Sequence, residues 1–335
     1  MTICLKAKWA LFTLVAALLF PPALLSGQFA AAGSWPTRPV RFIVALGPGS
    51  GVNIVARLLA DKLSVRWSQP VVVDNRPGGD GVVAITSFLG AHDDHALLVT
   101  PVASFIAHSY FHDKLPYNPN DLVPIARISK TIVSVNVPTS LNINSLKELE
   151  ALARAKPDEL NWTTGTGVTD FVFAGFCHTI GLTMARVPYK DSVAAASDLA
   201  EGRIQVFMTS FAIVRPQVLA GKVKVLAVTN YERAPVIPDV PTAIEAGYPS
   251  LEFDGLLGLF GPRELSADLR AHIAEDIRAA AADPLFVQTL TDTGQVASPG
   301  NEVEFAASIE QQRAQVAAVA RLFGNKPFHQ STPRR

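Results

Sequence analysis

Gly47, Gly49 and Gly51 fall at alternate positions in the stretch GPGSGVNI, between an apolar segment and a helical pattern. A glycine-rich turn at such a junction brings backbone N–H groups to the start of a helix, where the partial positive charge attracts an anion. A Walker A loop needs a lysine after its last glycine, and Val52 and Asn53 follow Gly51 here. The spacing is GxGxG, not the GxGxxG of a dinucleotide turn, and the acid about twenty residues on, Asp74, matches that fingerprint poorly. Two readings remain for this stretch. It holds a carboxylate on exposed amides, or it is a plain turn for which glycine supplies the dihedrals.

The same design recurs. In VVVDNRPGGDG, Val71 to Gly81, a buried-strand pattern meets a turn with Pro77, Gly78 and Gly79 before a helix. Asp80 there faces a crevice or caps that helix. In TTGTGVTDF, Gly165 and Gly167 alternate with the hydroxyls of Thr164, Thr166 and Thr169. Three sets of backbone and hydroxyl donors without a fixed cation describe an anion-binding cleft able to open and close. Enzyme chemistry has weaker support: neither a GxSxG elbow nor an HExxH motif is present. His92 and His95, with Asp93 and Asp94, have metal-ligand spacing but lie in a loop pattern, so a solvated loop is favoured and no metal is assigned. Cys177 sits in the apolar helical stretch FVFAGFCHTIGL and reads as a buried inert thiol.

The elements that must position these loops alternate. RFIVAL, PVVVDN, ALLVT and TIVSVNV are Val- and Ile-rich runs of the kind found in buried parallel strands. Val52, Val55, Ala56, Leu59 and Leu63 share one helical face. Strands alternating with helices predict an α/β fold with helices on both faces of mostly parallel sheets. ISKTIVSVNV and KVKVLAVTN are strands with no turn where a domain boundary should fall, so the chain crosses between two lobes and returns, leaving a cleft and a hinge.

At the N-terminus, Lys6 and Lys8 precede the apolar run WALFTLVAALLFPPALL and the small residues Ala30, Ala31 and Ala32. That is the layout of a secretory leader cleaved near Ala32. The formal net charge is zero, which gives no electrostatic case for nucleic acid or an anionic membrane surface. Without the leader Cys177 is alone, so no internal disulfide supports the core.

WPTRPVRFIVALGPGSGVNIVARLLADKL and the following VVVDNRPGGDG resemble the start of mature Bug-type receptors, the substrate-binding proteins of tripartite tricarboxylate transporters. LVPIARIS, TGTG, VPYKDSVAAASDLAEGRIQVFM, GKVKVLAVTNYERAPVIPDVPTAIEAGYP and GLLGLFGP continue the resemblance in order. It implies an α/β, two-lobed periplasmic binding protein of the type II, Venus-flytrap kind with two crossover hinge strands. The expected segments are a leader at 1–32, lobe 1 at 33–131 plus 229–323, lobe 2 at 132–228 and a flexible tail at 324–335. It implies a monomer without cofactor, working in the periplasm and passing a small carboxylate to membrane transporter subunits. The alternatives are an orphan receptor signalling to a membrane sensor, or an enzyme using the same cleft.

By motif, the family's ligand loops fall on Gly47, Pro48, Gly49, Ser50, Gly51 and Asn53; on Asn75, Pro77, Gly78, Gly79 and Asp80; and on Gly165, Thr166, Gly167 and Thr169. Phe171, Tyr189, Lys190, Thr209 and Ser210 complete the expected cleft. The chain departs from the family at Asn53 and Thr209, where an acid is usual, at Phe171, where a histidine is usual, and at Asp191, where a glycine is usual. Loss of the acid at Thr209 removes a partner for an ammonium, so the expected ligand is a small carboxylate without an amino group, with aromatic and dicarboxylic acids as candidates. Phe171, Phe173 and Phe211 either line an apolar wall for it or belong to the core.

Overall fold

A computed structural model describes residues 35–112, 114–165, 167–189 and 191–323. The leader, the C-terminal tail, Thr166 and Lys190 lie outside the described residues. The chain divides into a unit of Met1–Thr37 and a unit of Arg38–Arg335, and all the described strands and helices belong to the second.

β1 (Val40–Val44), α1 (Gly51–Trp67), β2 (Val71–Asn75), α2 (Val82–Leu89) and β3 (Ala96–Pro101) alternate as the pattern predicts. Two short helices, α3 (Val102–Ile106) and α4 (His108–Phe111), lead to β4 (Val123–Thr131). Then come β5 (Val133–Pro138), α5 (Leu146–Ala155), β6 (Asn161–Thr164), α6 (Gly167–Thr179) and β7 (Ala185–Arg186). α7 (Ser192–Ala200), β8 (Val206–Ser210), α8 (Phe211–Leu219) and β9 (Val223–Val228) come next. The chain closes with β10 (Gly255–Gly261), α9 (Ala267–Ala281), α10 (Pro284–Asp292), β11 (Gln295–Gly300) and α11 (Glu302–Leu322).

One sheet has six strands in the order β11-β4-β10-β3-β1-β2, the other five in the order β7-β6-β8-β5-β9. They are mixed rather than mostly parallel, because β10 runs antiparallel to β3 and β4, and β5 antiparallel to β8 and β9. The cause is the double crossing. A strand that leaves a sheet for the other lobe and one that returns from it must point in opposite directions when they lie side by side. β3 is buried over its first five residues and β1 at four of five positions, consistent with strands covered on both faces.

α1 shows how the sequence fixes an element. Ser50 caps it, accepting the Asn53 N–H at 3.2 Å, and Ser68 ends it in the left-handed region at φ 52°. Val52, Val55, Ala56, Leu59 and Leu63 form its buried face. Each large apolar side chain so buried contributes on the order of 1.5–3 kcal/mol, and packing of that face, more than intrinsic propensity, holds the helix. At its far end the buried Asp276 accepts from the indole of Trp67 at 2.6 Å and from the guanidinium of Arg66.

Both crossovers are tied at one residue. β4 passes into β5 through Ile132, and β9 returns through Thr229 and Asn230 towards β10. The Asn230 side chain, 7% exposed, accepts from the Val133 N–H at 3.0 Å and donates to the Thr131 carbonyl and to Asp254 Oδ1, each at 3.0 Å. Thr229 donates to the Val133 carbonyl at 2.8 Å and accepts the Phe253 N–H at 2.8 Å. Asn230→Ala strands the buried Val133 N–H and takes a donor from the half-buried Thr131 carbonyl, and a loss of roughly 2–3 kcal/mol is expected. A lowered urea midpoint with unchanged slope would show it.

Candidate functional site

β1 and β2 are parallel neighbours with Val44 opposite Asn75, so the loops that leave them open at the same sheet edge. Asn53, 3% exposed, joins these loops. Its Oδ1 accepts the Gly49 N–H at 3.3 Å and its Nδ2 donates to Asn75 Oδ1 at 3.0 Å, while Asn75 Nδ2 donates to the Leu46 carbonyl at 2.7 Å. An aspartate at this position has no proton to give Asn75, so the amide fits this pairing. α1 carries no acid in its first turn, and its N-terminal charge is left for whatever approaches. A Cβ added at Gly47 or at Gly49, whose φ is +83°, would meet nothing within 4 Å.

The second loop runs through Gly78, Gly79, Asp80 and Gly81 at φ +133°, +56°, +52° and +100°. Asp80 is an aspartate in the left-handed region that glycine usually fills. A buried histidine pins it there. His108, 1% exposed, lies 3.1 Å from the Asp80 carbonyl through Nε2 and 2.5 Å from the Tyr117 hydroxyl through Nδ1. A carbonyl only accepts, so Nε2 carries the proton and Nδ1 accepts from tyrosine. Burial holds the His108 pKa down at about 4, against the opposing pull of its bond to Asp80. Burial likewise raises the Tyr117 hydroxyl well above its usual range.

In the other sheet, β6 and β8 are parallel, and Gly165 donates its N–H to the Met208 carbonyl at 3.0 Å. A Cβ on Gly165 would lie 2.4 Å from Thr209 Oγ1, so glycine is required by that approach. In the first turn of α6, Asp170 takes two bonds from Arg186, at 3.0 and 2.6 Å, and one from the Thr164 hydroxyl at 2.6 Å. The fork geometry of guanidinium on carboxylate ties the first turn of α6 to β7.

The remaining expected residues take different places. Thr209 is 1% exposed behind Gly165, and its hydroxyl has no partner among the described residues. Thr169 is buried and Ser210 half-buried at the start of α8. Tyr189 directs its hydroxyl to Asp198 at 2.5 Å, and burial, then that bond, raises it to about 12. Phe171, Phe173 and Phe211 are 1%, 0% and 3% exposed and pack among buried apolar residues. Phe111 and Tyr110 of α4 meet Phe171 at centroid distances of 5.2 and 5.6 Å. On the other side a cavity of about 310 Å³ separates Gly49, Gly51 and Ile54 from Ala212, Arg215 and Leu219 of α8.

Two side features resolve simply. Asp93, Asp94 and His95 do cluster, but Arg38 already donates to both carboxylates, at 2.6 and 3.1 Å. Cys177 is buried, which pushes its thiol up to about 12 and leaves it unreactive. The residues that sequence patterns missed, His108, Tyr117, Arg186 and Asn230, act through partners far along the chain. No local spacing marks them.

Two sheets joined by a double crossing, with glycine-rich loops at the strand ends, are the architecture of a two-lobed solute-binding protein. The chain belongs to the tripartite tricarboxylate transporter family receptors, whose profile matches residues 55–324. A UPF0065 protein of Bordetella bronchiseptica is 28% identical over 316 residues, 92% of this chain and 93% of that one. Protein BugT of Bordetella pertussis is 27% identical over 264 residues, 76% of this chain and 81% of that one. Among solved structures, MatC from Rhodopseudomonas palustris with bound malate superposes with a TM-score of 0.72 and 25% identity, over 85% of this chain and 99% of that one. An R. palustris protein with adipate gives 0.73 and 26%, over 86% and 97%. Among the described residues no helix is long and apolar enough to cross a membrane.

The neutral His108 has a pH consequence. Its pKa is depressed in the folded chain, so its contribution is complete above the unfolded value near 6.5 and is lost as pH falls towards about 4. The loss over that window is about 3 kcal/mol. His108→Gln is expected to be less stable than the parent at pH 7.5, with a flatter fall between pH 6.5 and 4 in urea titrations. An unchanged slope would refute the assignment.

Proposed function

We propose that the protein is a periplasmic receptor that captures a small carboxylate and delivers it to a transporter of the tripartite tricarboxylate type. The carrying observation is the pair of adjoining loops, 47–53 and 75–81, locked by Asn53 and Asn75 at one sheet edge beside an unneutralised helix start. The solved relatives with malate and adipate support a carboxylate ligand for this cleft. Loop 165–169, with Tyr189, Lys190 and Ser210, forms the facing wall in this reading. The lobes are 33–131 with 229–323, and 132–228, and the leader at 1–32 is removed on export.

Capture follows from the hinge. A ligand that touches both walls gains contacts only when they approach, so it favours the closed state by that difference. The ligand is a carboxylate without an ammonium group, dicarboxylic or aromatic. The facing lobe supports this, because Asp170 is neutralised by Arg186 and Thr209 stands in place of an acid. Binding without chemistry is supported by Ser50, whose hydroxyl donates to the Gly47 carbonyl at 2.8 Å and accepts the Asn53 N–H, with no base beside it among the described residues.

A thermal-shift screen of the chain without its leader tests this, using malate, adipate, citrate, benzoate, aspartate and glutamate. A true ligand at a hundred times its Kd stabilises by about 2.7 kcal/mol and is recovered unchanged. Aspartate and glutamate are expected to give no shift. If none of the carboxylates raises the melting temperature, the reading is wrong.

A further inference from the structure

The first turn of α8 is set against the six-stranded sheet by backbone contacts. Phe211 donates its N–H to the Ile132 carbonyl at 2.8 Å, and Ile132 donates its own to the Gly294 carbonyl at 3.0 Å. A Cβ on Gly294 would lie 3.0 Å from the Ala212 nitrogen, and one on Gly51 would lie 3.2 Å from Gln295 Nε2. The starts of α1, β11 and α8 are therefore contiguous. Ala212 fixes which face of α8 looks towards α1, and Arg215, Pro216 and Leu219 follow it on that face at i+3, i+4 and i+7.

These side chains line the cavity of about 310 Å³ opposite Gly49, Gly51 and Ile54. Arg215 is half-buried there, and its guanidinium forms no hydrogen bond or ion pair among the described residues. Asp292, the one acid in the lining, is exposed, accepts from Gln288 Nε2 at 3.2 Å and makes no ion pair with Arg215. Ile54, Ala212, Pro216 and Leu219 are apolar, and Leu219 is 75% exposed. The cavity thus joins the backbone of loop 47–53, an apolar lining and an unmatched fork of N–H donors. The loop glycines take any carboxylate; a guanidinium asks for a second one.

We propose that Arg215 is the cation of the facing wall and binds the second carboxylate of a dicarboxylate whose first sits on loop 47–53. This rests on the carboxylate reading of the cleft and narrows it to dicarboxylates. The guanidinium fork takes both oxygens of one acid group, and the methylenes between the acid groups cover Ile54 and Leu219. A ligand held this way touches elements of both sheets and fits only where α1 and α8 stand one ligand length apart. Arg215 is then a specificity residue that selects the length of the diacid.

The test uses the chain without its leader, straight-chain diacids from malonate to suberate, and the monoacid of each chain length, titrated by calorimetry at pH 7.5. In the parent, affinity is expected to peak at one diacid and to exceed that of its monoacid. Arg215→Gln is expected to lose about 10- to 100-fold for that diacid and far less for the monoacid, which flattens the length profile. Arg215→Lys keeps the charge without the fork and is expected to fall between the two. A parent that holds no diacid more tightly than its monoacid would overturn the proposal, and so would an Arg215→Gln that keeps the peak. Equal losses for diacids and monoacids in Arg215→Gln, matched by Asp292→Asn, would also overturn it, because the arginine would then only latch α8 to Asp292. Should Arg215→Gln not fold, the parent's profile and Arg215→Lys decide. Failure of every acid to bind would instead remove the cleft reading on which the proposal stands.

Discussion

The chain has to cross twice between two sheets, and the rest of the structure is arranged around that constraint. A single crossing would make two domains in series. Two crossings make one hinge of two segments, and each needs its backbone groups satisfied where no regular ladder runs. Asn230 does this by offering the Thr131 carbonyl a donor and the Val133 N–H an acceptor, in the manner of a peptide unit. Its third bond, to Asp254, brings in the returning strand, and Lys130 meets the same carboxylate at 2.7 Å. The antiparallel places of β10 and β5 follow from the same path.

With the hinge set, the cleft loops need little side-chain chemistry of their own. Their conformations are held from behind. Asn53 and Asn75 hold the first to the second, His108 and Tyr117 hold the second from the core, and Arg186 with Asp170 ties the first turn of α6 to β7. In the carboxylate reading proposed above, backbone groups of these loops meet the carboxylate without specifying what lies beyond it. Ligand choice then falls to the few side chains that do face the cleft.

Much of this was legible in the sequence, and the reasons differ by element. The α1 face, the glycine loops and the alternation of strands and helices are local patterns, and local patterns survive in a single sequence. The crossings were legible because a strand without a turn is itself a local signal. Strand direction was not: the return of β10 beside β3 is a long-range pairing. The clamps were not legible either, since Asn230 and Thr131, or Arg186 and Asp170, share no motif spacing. Thr209 shows the opposite failure. A motif position that reads as ligand-facing is filled here by a buried threonine against Gly165.

The two unusual ionisable groups of loop 75–81 bear on each other. His108 must stay neutral, because one nitrogen has to donate to the Asp80 carbonyl while the other accepts from Tyr117. Its depressed pKa penalises the folded state as pH falls from about 6.5 towards 4. Asp80, raised to about 7, penalises the folded state in the opposite direction, from its ordinary value near 3.8 upward. Over the mildly acidic range the slopes oppose, and that of the solvent-exposed Asp80 is the weaker of the two. Above pH 7 the opposition ends, since His108 is neutral in both folded and unfolded chains.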